Sequence, residues 1–72
     1  MMDFPGKIKK VRHISLLSQT DFAEALGVSF STVNRWETGK SVPNYKTMKK
    51  IDGYCREHDI PFEITDDIWE DK

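Results

Sequence analysis

The sequence predicts an all-α domain, a bundle of four to five short helices with a short extended or irregular C-terminal tail. Three observations carry that class. Apolar residues recur at helical spacing through most of residues 1–59. Ser18, Ser29 and Asn44 each precede one of these periodic stretches, where a side-chain oxygen caps a helix N-terminus. Gly27 and Gly39 follow two of them, suited to the left-handed residue that ends a helix. A chain of 72 residues has room for one domain and one small core, because a domain of this size buries only about 60% of its unfolded surface. The domain is expected to occupy residues 1–59, with residues 60–72 as an acidic tail.

Met1 to Gly6 reads as a loose start, since Pro5 and Gly6 both discourage a helix interior. A first helix is expected from Pro5 onward, with Ile8, Val11, Arg12 and Ile14 or Ser15 at helical spacing, ending near His13 to Leu16. Ser18 caps the second helix, and Asp21 adds negative charge to its first turn. Phe22, Ala23 and Leu26 share its inward stripe, with Ala23 small enough to let the next helix cross closely. Val28 plugs the turn after Gly27. The third helix runs from Phe30 to about Glu37, with Val33 and Trp36 inward. Gln19 to Gly39 is therefore two short helices joined by a tight glycine turn, a helix-turn-helix with its second helix presented for contact.

The outward residues of that third helix are Phe30, Ser31, Thr32, Asn34 and Arg35. These are side chains that read base edges, since arginine reaches guanine O6 and N7 bidentately and asparagine pairs with adenine. Phe30 suits a thymine methyl, or packs under the first helix or at a dimer contact. Val42 and Pro43 end a short loop. Asn44 caps a fourth helix from about Tyr45 to His58, with Met48, Ile51 and Cys55 on its core stripe, Tyr54 beside them, and Gly53 as a site of close packing. Cys55 reads as a small buried hydrophobe. Beyond Asp59, Ile60, Phe62 and Ile64 alternate at period two, the signal of a short extended segment, with Pro61 confining any strand to an edge. Ile68 and Trp69 interrupt the acidic end; they fold back on the domain or meet a second copy.

The net charge of −1 conceals a division along the chain. Residues 1–15 carry +3, residues 16–28 carry −2, residues 29–50 carry +4 and residues 51–72 carry −6. The stretch that begins at the third helix is basic, which suits one face toward phosphate. Other classes lose ground. A single cysteine cannot form an internal disulfide, and His13 and His58 lack ligand-like spacing, so neither metal nor cofactor is expected. The chain is too short for a large substrate pocket. It shows no nucleophile–base–orienter set and no phosphate-cradling glycine loop, so no enzyme is expected. No apolar run approaches the length of a membrane span, and no signal peptide is visible, so a soluble cytoplasmic protein is expected, without a membrane partner.

Leu17-Ser18-Gln19, Phe22-Ala23, Leu26-Gly27-Val28-Ser29, Thr32-Val33, Arg35-Trp36-Glu37, Gly39-Lys40 and Pro43 together resemble the Cro/CI-type (XRE-like) helix-turn-helix family. The match runs ungapped from about Ile8 to Cys55. The resemblance implies a lambda-repressor-like bundle that binds double-stranded operator DNA, usually as a homodimer. It places Gln19 on phosphate, where it steadies the recognition helix. It gives Phe30, Ser31 and Arg35 base-reading positions, with Thr32 and Asn34 near phosphate or base edges. It sets Lys40, Ser41 and Asn44 against the other side of the groove. It makes Arg12 and Glu37 a structural pair bridging the first helix to the end of the third. Lys46 joins the expected phosphate contacts through its place in the basic segment.

Leu16 departs from the family, standing where glycine usually ends the first helix. The tail after Ile60 lies outside the resemblance, and a homodimer or partner contact is expected there. The function expected is a transcriptional regulator acting by occlusion or recruitment at a promoter. The competing class is a protein-interaction module, antitoxin-like or accessory, using the acidic tail.

Overall fold

The computed structural model describes residues 3–69. Four α-helices follow in order, α1 (Phe4–Ile14), α2 (Gln19–Leu26), α3 (Phe30–Glu37) and α4 (Tyr45–Glu57), and a 3-10 turn spans Asp66–Trp69. The part of the expected tail at residues 70–72 and the first two residues of the expected loose start lie outside the described residues.

Local chemistry sets most of the boundaries. Ser18, Ser29 and Asn44 have extended backbones, and their side-chain oxygens accept from the N–H groups of Asp21, Thr32 and Thr47. Each cap satisfies a backbone donor that the helix cannot satisfy itself. Gly27 ends α2 with φ 72, and Gly39 follows α3 with φ 77, the left-handed region that glycine enters without a side-chain clash.

The start of the chain differs from the sequence expectation. Residues 4–6 belong to α1 rather than to a loose segment, because Asp3 caps the helix by accepting from Gly6 N–H at 3.1 Å. Pro5 then falls in the first turn, where its missing N–H leaves no helical bond unmade. Phe4 is thereby turned into the core at 5% exposure. Ile14, read as one alternative for the inward stripe, is 48% exposed. Ser15 takes the inward position instead, accepting from Tyr54 Oη at 2.9 Å and donating to Val11 O at 2.8 Å.

The core gathers Phe4, Ile8 and Val11 from α1, Phe22, Ala23 and Leu26 from α2, Val33 and Trp36 from α3, Met48, Ile51 and Cys55 from α4, and Ile60. α3 packs against both α1 and α2, and α2 also packs on α4. Phe4 stands edge-on to Trp36 and to Phe62, with ring centroids 6.4 and 6.5 Å apart. Cys55 is the expected buried hydrophobe; burial and the Asp52 charge push its thiol up to about 11. It stays protonated and inert at neutral pH.

Gly53 does not permit close packing. A Cβ there would meet nothing within 4 Å. Gly53→Ala is therefore expected to stabilise the fold by about 0.5–1 kcal/mol, the helix-propensity difference, as a rise in the chemical-denaturation midpoint at unchanged slope.

Beyond α4 the alternating residues 60–65 form no strand. The described residues offer no partner strand, so Ile60 and Phe62 pack on the helices instead, while Ile64 stays exposed. Ile60 is buried, Phe62 sits against Phe4, and Lys7 Nζ donates to Glu63 O at 3.3 Å. Ile68 and Trp69 fold back on the same domain. The Trp69 indole N–H donates to Pro43 O at 2.7 Å, and its ring meets Tyr45 at 4.9 Å.

Candidate nucleic-acid interface

α3 has two faces fixed by helical geometry. Val33, Trp36 and Glu37 lie on one and are all buried. Phe30, Ser31, Asn34 and Arg35 follow at steps of one and four on the other. Phe30 is 50% exposed there, Ser31 and Arg35 are exposed, and Asn34 is half-buried. Phe30 keeps half of its surface exposed at the N-terminal end of α3. Thr32 flanks this face, half-buried, with its hydroxyl 2.9 Å from Ser29 Oγ.

The buried carboxylate of Glu37 holds the arrangement in place. Arg12 Nε donates to Glu37 Oε2 at 2.7 Å and Arg12 Nη2 to Oε1 at 3.0 Å, a bidentate pair. Arg12 Nη1 also donates to Leu17 O at 3.1 Å, which fixes the α1–α2 turn. Gln19 Nε2 donates to Glu37 Oε1 at 3.0 Å, and Gln19 Oε1 accepts from Asn34 Nδ2 at 3.4 Å. One chain of hydrogen bonds thus runs from α1 through α3 to the start of α2 and back to the outward face of α3. Gln19, expected on phosphate, has both ends of its amide engaged within the motif.

Burial alone would push the Glu37 carboxyl up. Hydrogen bonds from Arg12 and Gln19, with the Arg12 and Lys9 charges, outweigh burial and hold it below the usual carboxylate value. The Glu37 hydrogen bond raises the Arg12 guanidinium in turn, against the opposing effect of its own burial. Both groups are charged at neutral pH, and no buried polar side-chain atom among the described residues lacks a partner.

The remaining expected contacts lie in the loop after α3 and the first turn of α4. Lys40, Asn44 and Lys46 are exposed and Ser41 is half-buried. Lys40 and Ser41 donate their backbone N–H groups to Arg35 O at 2.8 and 3.4 Å, which ties the loop to the end of α3. Asn44 spends its side-chain oxygen on the α4 cap.

Two residues escaped the sequence reading. Thr38 is exposed one turn beyond Asn34 on the same outward face, and its hydroxyl donates to Asn34 O at 2.9 Å. The four-residue step from Asn34 was the available signal. Lys9 adds to the field that keeps Glu37 ionised. No helix among the described residues is long and apolar enough to cross a membrane, and no metal-binding group of His, Cys, Asp and Glu occurs among them.

Comparison with known proteins agrees with this geometry. A helix-turn-helix family model matches residues 8–58, which takes in all of α2, α3 and α4. The chain is 38% identical over 50 residues to the HTH-type transcriptional activator BcrR of Enterococcus faecalis, an alignment covering 69% of this chain and 24% of that protein. The chain thus spans about a quarter of the length of that relative. No solved structure matches it. With the motif, its caps, its glycine turn and its buried arginine–glutamate bridge all in place, the chain belongs to the Cro/CI-type (XRE-like) family of helix-turn-helix DNA-binding domains.

Proposed function

We propose that the chain is a sequence-specific, double-stranded DNA-binding transcriptional regulator that lays α3 in the major groove. The observation that carries this reading is the outward face of α3, where Phe30, Ser31, Asn34 and Arg35 stand free of the core while Glu37 anchors the opposite side. A rigid helix with base-reading side chains on one face is what direct readout requires. Lys40 and Lys46, with the hydroxyl groups of Ser41 and Thr32, supply phosphate contacts that position the helix. Similarity to a transcriptional activator supports a regulatory role. If two copies bind with two-fold symmetry, the half-sites lie about 34 Å apart.

In vitro selection from random duplex DNA, followed by anisotropy titration at two salt concentrations, tests the proposal. A defined consensus with a specific affinity well above that for random duplex is expected. Absence of binding even at low salt would point to a protein-interaction module instead. On the selected site, Arg35→Ala is expected to cost about 1–3 kcal/mol and relax one base position. Equal losses on specific and random DNA would make Arg35 a phosphate contact. Gln19→Ala is expected to weaken all sequences alike, and also to lower fold stability by about 1–3 kcal/mol, because Glu37 loses a charge-assisted hydrogen bond. A loss confined to one operator variant would contradict that role.

A further inference from the structure

The segment after α4 runs back to the turn that the DNA-binding proposal sets beside phosphate. Its near end is fixed on α1, where Phe62 meets Phe4 and Lys7 Nζ donates to Glu63 O. A turn follows, with Ile68 N–H donating to Thr65 O at 3.2 Å. Trp69 then lies at the start of α4, its indole N–H on Pro43 O and its ring edge-on to Tyr45. A hollow of about 220 Å³ between them is lined by Asn44, Tyr45 and Trp69. A second, of about 260 Å³, continues along α4 past Lys49 and Asp52 to Ile64. Asn44 is one of the expected groove contacts, and Lys46, another expected contact, follows Tyr45 directly. The docking is shallow, since Tyr45 keeps 71% of its surface exposed and Trp69 is only half-buried.

We propose that this segment is a built-in competitor for DNA, closed while Trp69 sits on Pro43 and Tyr45 and displaced when a duplex takes the start of α4. The inference rests on the DNA-binding proposal and adds regulation to the same site. Residues 40–50 hold Lys40, Lys46, Lys49 and Lys50 and no acid. Residues 60–72 hold Glu63, Asp66, Asp67, Glu70 and Asp71 against Lys72, a net −4. Asp66 and Asp67 belong to the turn that ends at Trp69, so the chain keeps their Cα atoms within about 11 Å of its own. Negative charge tethered at that range opposes phosphate without any ion pair, because the Debye length is about 8 Å at physiological salt. An indole hydrogen bond and an aromatic pair, less the cost of ordering the segment, favour the closed form on the order of 10-fold. Apparent DNA affinity falls by the same factor when only the open form binds fully.

Anisotropy titration of the 72-residue chain with a labelled random-sequence duplex at low salt provides the test. Trp69→Ala alters no charge, so a gain in affinity reports opening; binding should tighten on the order of 10-fold. Asp66→Asn with Asp67→Asn should tighten binding several-fold in the parent and much less in the Trp69→Ala background. Equal gains in both backgrounds would reduce the effect to net charge and overturn the inference. Thermal melts establish that each variant is folded at the titration temperature. Trp69→Phe keeps a ring for Tyr45 and loses only the bond to Pro43 O, and should bind about 3-fold tighter than the parent even where Trp69→Ala melts too low to titrate. A parent that binds duplex as tightly as the folded Trp69 variants would overturn the competitor and leave the DNA-binding proposal standing. Absence of duplex binding by all of these chains would overturn that proposal, and the competitor with it.

Discussion

Arg12→Ala is expected to destabilise the fold by about 3–5 kcal/mol, because it leaves the Glu37 carboxylate in the interior without its counter-charge. The Glu37 side chain is only 2% exposed and that of Arg12 15%, so water cannot replace the lost partner. A domain of this size typically holds about 4–11 kcal/mol in total, at about 0.05–0.15 kcal/mol per residue. The variant should therefore sit near its unfolding threshold at room temperature. Arg12→Lys keeps the charge but loses the fork, and should fall between the two. Replacing Arg12 and Glu37 together by apolar residues should cost less than the two single changes combined, since no charge is then stranded. Denaturation curves of the four proteins decide it; strict additivity would refute the coupling.

The same pair gives the fold an acid limb. Glu37 titrates lower in the folded chain than in the unfolded one. Its contribution is therefore fully present above the unfolded value, about 4.3, and is lost as pH falls through the folded value. Arg12, already fully protonated, adds no dependence in that range. Stability of the parent should decline below about pH 4.5, and the part due to Glu37 should be missing from Glu37→Gln, which is less stable at neutral pH.

Phe4→Ala carries the second large effect, about 3–5 kcal/mol, the usual loss for a buried phenylalanine. Phe4 is wedged between Trp36 and Phe62, so its removal opens a cavity that joins α3 to the tail. A melting-temperature drop of no more than a degree or two would show that the start of α1 is dispensable. Asp3→Ala, which removes only the cap, should cost about 1 kcal/mol and separates capping from burial.

How much of this was legible in sequence depends on how local each signal is. The caps at Ser18, Ser29 and Asn44 and the turn at Gly27 act within three or four residues, and they placed α2, α3 and α4 within a residue of their observed bounds. Pro5 and Gly6 misled because the same residues break a helix interior and begin a helix when a cap precedes them. The packing of Phe4 against Phe62 spans most of the chain, and no local pattern encodes it. Ile60, Phe62 and Ile64 alternate as a strand does, but alternation states only which side chains are apolar, and here helices receive the first two. At the candidate interface, residue types were readable. The Gln19 bridge between Glu37 and Asn34, spanning 18 and 15 residues, was not.

The docking of Trp69 on Pro43 and Tyr45 has an optical consequence. The chain contains two tryptophans. Trp36 is sealed in the core at 2% exposure, whereas Trp69 is half-buried with its indole N–H on a backbone carbonyl. Their emission should differ in colour and in access to an aqueous quencher. The blue, shielded component follows the core, and the redder, quenchable one follows the clasp of the acidic segment beside α4. A single cuvette can thus distinguish release of the tail from unfolding of the bundle, with no label attached.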